Sequence, residues 1–125
     1  MHRTAAVPPT ILVVDDDPAI LDVVCWTLED EGFSTRRALD GLEALEIIRA
    51  APPNLILLDL RMPRLNGWEV YRILTTDPRL KHIPIIIMTA DQAAHARRHD
   101  MTEARFLAKP FNLPDLVDAV TQTLG

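Results

Sequence analysis

The stretch LLDLRMPRLNG (residues 57–67) runs apolar residues around a single aspartate and then breaks at Met62-Pro63. With the residues before it, it reads NLILLD (54–59), a short branched-aliphatic run of the kind that forms a strand buried on both faces. A carboxylate at the end of such a strand costs several kcal/mol, roughly, unless water, a cation or a reacting group meets it. Asp59 therefore poses the question that the rest of the chain has to answer.

Two kinds of segment alternate outward from it. TILVVD (10–15) and IPIIIMT (83–89) share its character, while FSTRRA (33–38) and ARFLAK (104–109) are more polar, as edge strands are. Helical spacing occupies 18–31, 41–50, 66–76, about 91–101 and 113–124. Asp17-Pro18, Asn66 and Asn112 supply helix-start signals. Alternating strands and helices predict an α/β domain with five parallel strands, helices on both faces and right-handed crossovers. Residues 1–9, without periodicity and with two prolines, read as a flexible leader, and 10–125 as the domain.

Open parallel sheets place function at the carboxyl ends of their strands. Asp15-Asp16-Asp17, Asp59, Thr89 with Asp91, and Lys109-Pro110 all fall there. Crowded carboxylates call for a shared proton or a hard cation, and Mg²⁺ takes one or two carboxylates together with waters and a phosphate oxygen. A lysine and a threonine facing the same point suit phosphoryl oxygens, which leaves Asp59 as a candidate nucleophile.

The segments VVDDDPAI, LLDLRMPRLNG, IIIMTA and FLAKPF, in this order and near this spacing, resemble the receiver domain of two-component response regulators. The resemblance spans residues 10 to 124 or so and implies a flavodoxin-like sheet of order 2-1-3-4-5. It implies Asp59 as phospho-acceptor, with Asp15, Asp16, Asp59 and the Arg61 carbonyl around Mg²⁺. Thr89 and Lys109 would contact the phosphoryl group, Thr89 and Phe106 would form the switch, and Lys109-Pro110 would be cis. The implied function is signalling, with phosphoryl transfer from a histidine kinase or phosphotransfer protein and control of a partner or output domain. The domain would be a phospho-acceptor with at most self-catalysed phosphorylation and dephosphorylation, and not an enzyme in the usual sense.

This chain departs from the family in three places. Asp17 stands where Glu is more common, MTEARF replaces the usual glycine-alanine pair before the fifth strand, and Thr89 and Lys109 lie closer together than the family usually has them. The helix expected near 91–101 is therefore shortened or remodelled, with Asp91 placed to face Arg61. Two other classes stay in view. A receiver-like scaffold would bind partners without phosphorylation. A small haloacid-dehalogenase-type phosphatase is suggested by Asp15-x-Asp17, but that family wants Thr or Val where this chain has Ala19.

Composition narrows the field further. The 125 residues fit one domain, and 48% hydrophobic with 25% charged residues describes a soluble protein with no membrane span. A net charge of −5, with no basic surface beyond HARRH (95–99), argues against nucleic acid as a direct ligand. A single cysteine and no signal-peptide core in MHRTAAVPPT give the expectation of a cytoplasmic location. Cys25 reads as a packed hydrophobe, and His95 and His99 as a solvated face. In the first helix Ile20, Val24 and Leu28 are the expected buried stripe. Trp26 falls on the polar side with Asp22 and Glu29, either as a docking anchor or as a ring folded over the domain's own surface.

Overall fold

Strand formation follows the aliphatic runs. In a computed structural model, which describes residues 7–90 and 104–125, β1 (Thr10–Val14), β3 (Leu55–Asp59) and β4 (Ile85–Thr89) are buried almost throughout. The polar runs become the edges, β2 (Ser34–Ala38) and β5 (Ala104–Ala108), whose side chains are mostly half-buried or exposed. The order is β2-β1-β3-β4-β5, with every pairing parallel. The leader positions 1–6 and the helix expected at about 91–101, with Asp91, His95 and His99, lie outside the described residues.

Among the described residues four helices cover the two faces: α1 (Pro18–Asp30), α2 (Gly41–Ala50), α3 (Gly67–Thr76) and α4 (Leu113–Leu124). Each begins with Asp or Asn whose side chain accepts a hydrogen bond from an amide of the first turn: Asp17, Asp40, Asn66 and Asn112. Such caps are worth about 0.5–2 kcal/mol each. None of the helices among the described residues is long and apolar enough to cross a membrane.

The two-residue strand period divides the core. Leu12, Val14, Ile56, Leu58, Ile85 and Ile87 meet α2 and α3 on one face. Ile11, Val13, Leu55, Leu57, Ile86 and Met88 meet α1 and α4 on the other. On α1 the buried positions are Leu21, Val24, Cys25 and Leu28, with Ile20 only half-buried. Val24 and Leu28 are buried as expected, and Leu21 takes the place expected of Ile20. Fourfold spacing drifts by about 40° per step around a helix, whereas the i, i+3, i+4, i+7 pattern starting at Leu21 stays on one side. Trp26 is 60% exposed.

Candidate functional site: an acidic cluster with a half-buried lysine

Register brings the expected residues together. Asp59 sits opposite Met88 at the end of β3, and Thr89 sits opposite Ala108 at the end of β4. Beyond the strands, the Asp15 amide donates to the Ala38 carbonyl at 3.1 Å and the Lys109 amide to the Thr89 carbonyl at 3.0 Å, so backbone pairing holds both side chains at the same edge. The Lys109-Pro110 bond is cis.

Asp15 is fully buried, Asp59 is 5% exposed and Thr89 is buried; these are the buried polar side chains among the described residues. Lys109 Nζ donates to Asp15 Oδ2 at 2.6 Å and lies 3.5 Å from Asp59 Oδ2. The other oxygens meet backbone amides: Asp15 Oδ1 accepts from Asp17 at 3.0 Å, and Asp59 Oδ1 from Arg61 at 3.3 Å. Burial pushes the Asp59 carboxyl up to about 6. Lys109 pulls against that shift, while Asp15 and Asp16 add to it. Burial alone would lower the Lys109 ammonium, but its bonds to Asp15 and the charge of Asp59 outweigh this and hold it above the ordinary lysine value.

Carboxylate oxygens of Asp15, Asp16 and Asp59 lie within 4.8 Å of one another, with Asp16 exposed to solvent. An all-oxygen, acidic, half-open set of this kind fits a hard divalent cation, which would offset the burial and the added repulsion that raise Asp59. Asp17 stands apart: its carboxylate accepts from the Ala19 amide at 2.9 Å and caps α1. The aspartate pair that suggested a phosphatase is therefore divided between the cluster and a helix cap. The Arg61 side chain is exposed, and its expected partner Asp91 lies outside the described residues. Phe106 pairs with Ile87 in the ladder and packs, half-buried, against the α2–α3 side of the core.

Two glycines that matter here have no role of their own in the sequence reading. A Cβ on Gly67 would lie 2.3 Å from the Asp59 carbonyl oxygen, and one on Gly41 would lie 2.1 Å from the Leu65 carbonyl oxygen. Their lack of a side chain lets α3 and α2 close on β3 and the loop that follows it. The dipeptides Asp40-Gly41 and Asn66-Gly67 were the available signal, since each puts a glycine directly after a cap.

The family model for the response regulator receiver domain matches residues 11–121. The polar-differentiation response regulator DivK of Brucella anthropi is 32% identical over 124 residues, covering 94% of this chain and 98% of DivK. The DNA-binding dual master transcriptional regulator RpaA of Synechocystis is 34% identical over 118 residues, but the chain spans only 49% of that protein's length. Among solved structures, the signal receiver domain of a signal transduction histidine kinase from Syntrophus aciditrophicus superposes with a TM-score of 0.86 at 30% identity, over 93% of this chain and 89% of that one. An acidic cluster closed by a half-buried lysine at the carboxyl edge of a 2-1-3-4-5 sheet, and a family match across nearly the whole chain, lead to one conclusion: the protein belongs to the response regulator receiver domain family.

Proposed function

We propose that the domain accepts a phosphoryl group on Asp59 from a histidine kinase or phosphotransfer protein, with Mg²⁺ held by Asp15, Asp16, Asp59 and the Arg61 carbonyl. The observation that carries this reading is the Lys109 ammonium set between Asp15 and Asp59, 2.6 and 3.5 Å away. It places a fixed positive charge where phosphoryl oxygens would arrive.

An Asp59 carboxylate oxygen attacks the phosphorus, the bond from phosphorus to the donor nitrogen breaks, and the leaving imidazole keeps that electron pair and takes up a proton. When bound, the cation neutralises charge on the phosphoryl oxygens. Lys109 faces the same oxygens, and the Thr89 hydroxyl donates to one of them. Most of the rate gain in such a transfer comes from positioning and charge neutralisation. The Asp59 carboxyl, raised to about 6, is mostly ionised near neutral pH and so available to attack.

An apolar groove of about 400 Å³ lies beside Lys109, between α1 and Pro110–Leu113. With Val23 and Leu113, which line it and are exposed, it offers the donor protein a docking face next to the acceptor. Phosphorylation would then act on a partner or output domain through Thr89 and the ring of Phe106.

Intact-mass analysis after incubation with a small phosphodonor and Mg²⁺ tests the proposal. The parent should gain one phosphoryl group and Asp59→Asn none. A parent that gains nothing under conditions where it binds Mg²⁺ would instead support a scaffold that works without phosphorylation.

A further inference from the structure

The segment between Asp59 and α3 is fixed at both ends. The Arg61 amide donates to Asp59 Oδ1 at 3.3 Å, and the Gly67 amide to the Leu60 carbonyl at 3.0 Å. Asn66 and Glu69 then form a reciprocal capping box that starts α3. Between these ends Arg64 adopts φ 65°, the one non-glycine residue in the left-handed region among the described residues. Side chains disfavour that backbone, and it persists where the surroundings over-determine it.

Asp40 and α2 supply those surroundings. Arg64 Nε donates to Asp40 Oδ2 at 2.9 Å, and Nη2 lies 2.7 Å from the same oxygen. Asp40 is itself anchored: its Oδ1 accepts from the Glu43 amide at 2.9 Å, while Glu43 Oε1 accepts from the Leu39 amide at 2.7 Å. The next residue, Gly41, leaves room for no side chain against the Leu65 carbonyl. One carboxylate thus caps α2 with one oxygen and grips the acceptor loop with the other.

The geometry points to Arg64 and Asp40 as a positioning pair that clasps the acceptor loop to α2 and so holds the Arg61 backbone in place beside Asp59. Neither side chain is among the reacting groups. The inference rests on the function proposed above, in which the Arg61 carbonyl completes the oxygen donors for the cation. A loosened clasp leaves Asp15, Asp16 and Asp59 intact while Arg61 wanders, so cation affinity falls before the chemistry does.

Two substitutions isolate the clasp. Arg64→Gly removes the guanidinium and accepts the left-handed backbone without strain. Asp40→Asn keeps an equally good cap oxygen for α2 and removes the charge. Amide exchange at Arg61 and Met62 is read in the metal-free protein, and Mg²⁺ affinity by titration of tryptophan fluorescence. Phosphorylation by a small phosphodonor is followed at low and at saturating Mg²⁺.

Each variant should exchange faster at Arg61 and bind Mg²⁺ about fivefold more weakly, the most an exposed ion pair can supply. The phosphorylation rate should recover at saturating Mg²⁺, and the double variant should lose no more than either single one. The pairing is overturned if thermal stability alone changes while Arg61 exchange and Mg²⁺ affinity match the parent, or if the two losses add. Because the exchange measurement needs no metal, it decides the clasp even if the parent accepts no phosphoryl group, an outcome that would count against the proposed function alone.

Discussion

The two ends of the sheet are made by the same five strands, yet they treat charge in opposite ways. At the carboxyl end Asp15, Asp59 and Lys109 are drawn into the protein and hold one another. At the amino end charge stays in water: Arg79, 92% exposed, lies 3.9 Å from Asp77. The strand starts there are tied by neutral bonds, with Asn54 donating its amide to the Thr10 carbonyl at 2.8 Å and accepting the Thr10 amide on Oδ1 at 2.7 Å. A parallel sheet makes this division possible because all five chain exits lie on one edge. One edge can then carry a costly cluster while the interior and the other edge hold the fold together.

The interior should show the largest effect. Leu57 is fully buried in β3 between the two ends. Leu57→Ala should cost about 2–5 kcal/mol in urea unfolding. A loss near that of a surface substitution would mean that β3 is not the packed centre on which both ends depend.

Next comes the burial cost of Asp59. Its carboxyl titrates near 6 in the folded protein, against 3.8 when free in the unfolded chain. Folding therefore disfavours ionisation. The penalty is absent below pH 3.8, where both states are protonated, grows as pH rises through the window, and is complete above 6. At 1.36 kcal/mol per pH unit the shift corresponds to about 3 kcal/mol. In a chelator-containing buffer Asp59→Asn should accordingly be more stable than the parent by up to about 3 kcal/mol at pH 7.5 and by almost nothing near pH 4. Equal differences at both pH values would show that Asp59 carries no buried charge.

Lys109 tests the same edge through activity. Lys109→Met leaves Asp15 and Asp59 facing each other without their cation, and the phosphorylation rate with a small donor at saturating Mg²⁺ should fall about a hundredfold or more. An unchanged rate would remove Lys109 from the reaction and leave it as a structural partner of Asp15.

The smallest effect belongs to the amino end. Arg79→Ala should change stability by less than about 0.5 kcal/mol at any salt concentration, since an exposed pair at this distance contributes little. A larger, salt-dependent loss would mean that the two ends do not differ as described.

Much of this contrast is legible in the chain. Aliphatic runs ending in Asp15, Asp59 and Thr89 read as buried strands with polar exits because period and burial are local properties of sequence. Cap residues at Asp17, Asn66 and Asn112 read as helix starts for the same reason. Ile20 misled, since fourfold spacing mimics a stripe over two turns before its drift shows. Asp40 did not read as a cap with a second duty, because its other partner, Arg64, lies 24 residues away in a different loop.

By itself the sequence determined the alternation of elements, the parallel sheet and the chemical types that gather at its carboxyl edge. Each of these follows from hydrophobic periodicity and from the direction in which strands exit. Only the tertiary structure decided how those groups are paired. It set Lys109 closer to Asp15 than to Asp59, and let Gly41 and Gly67 bring two helices onto the loop that follows Asp59. Such choices depend on distances of a few tenths of an ångström between residues far apart in the chain, and those distances are set by packing.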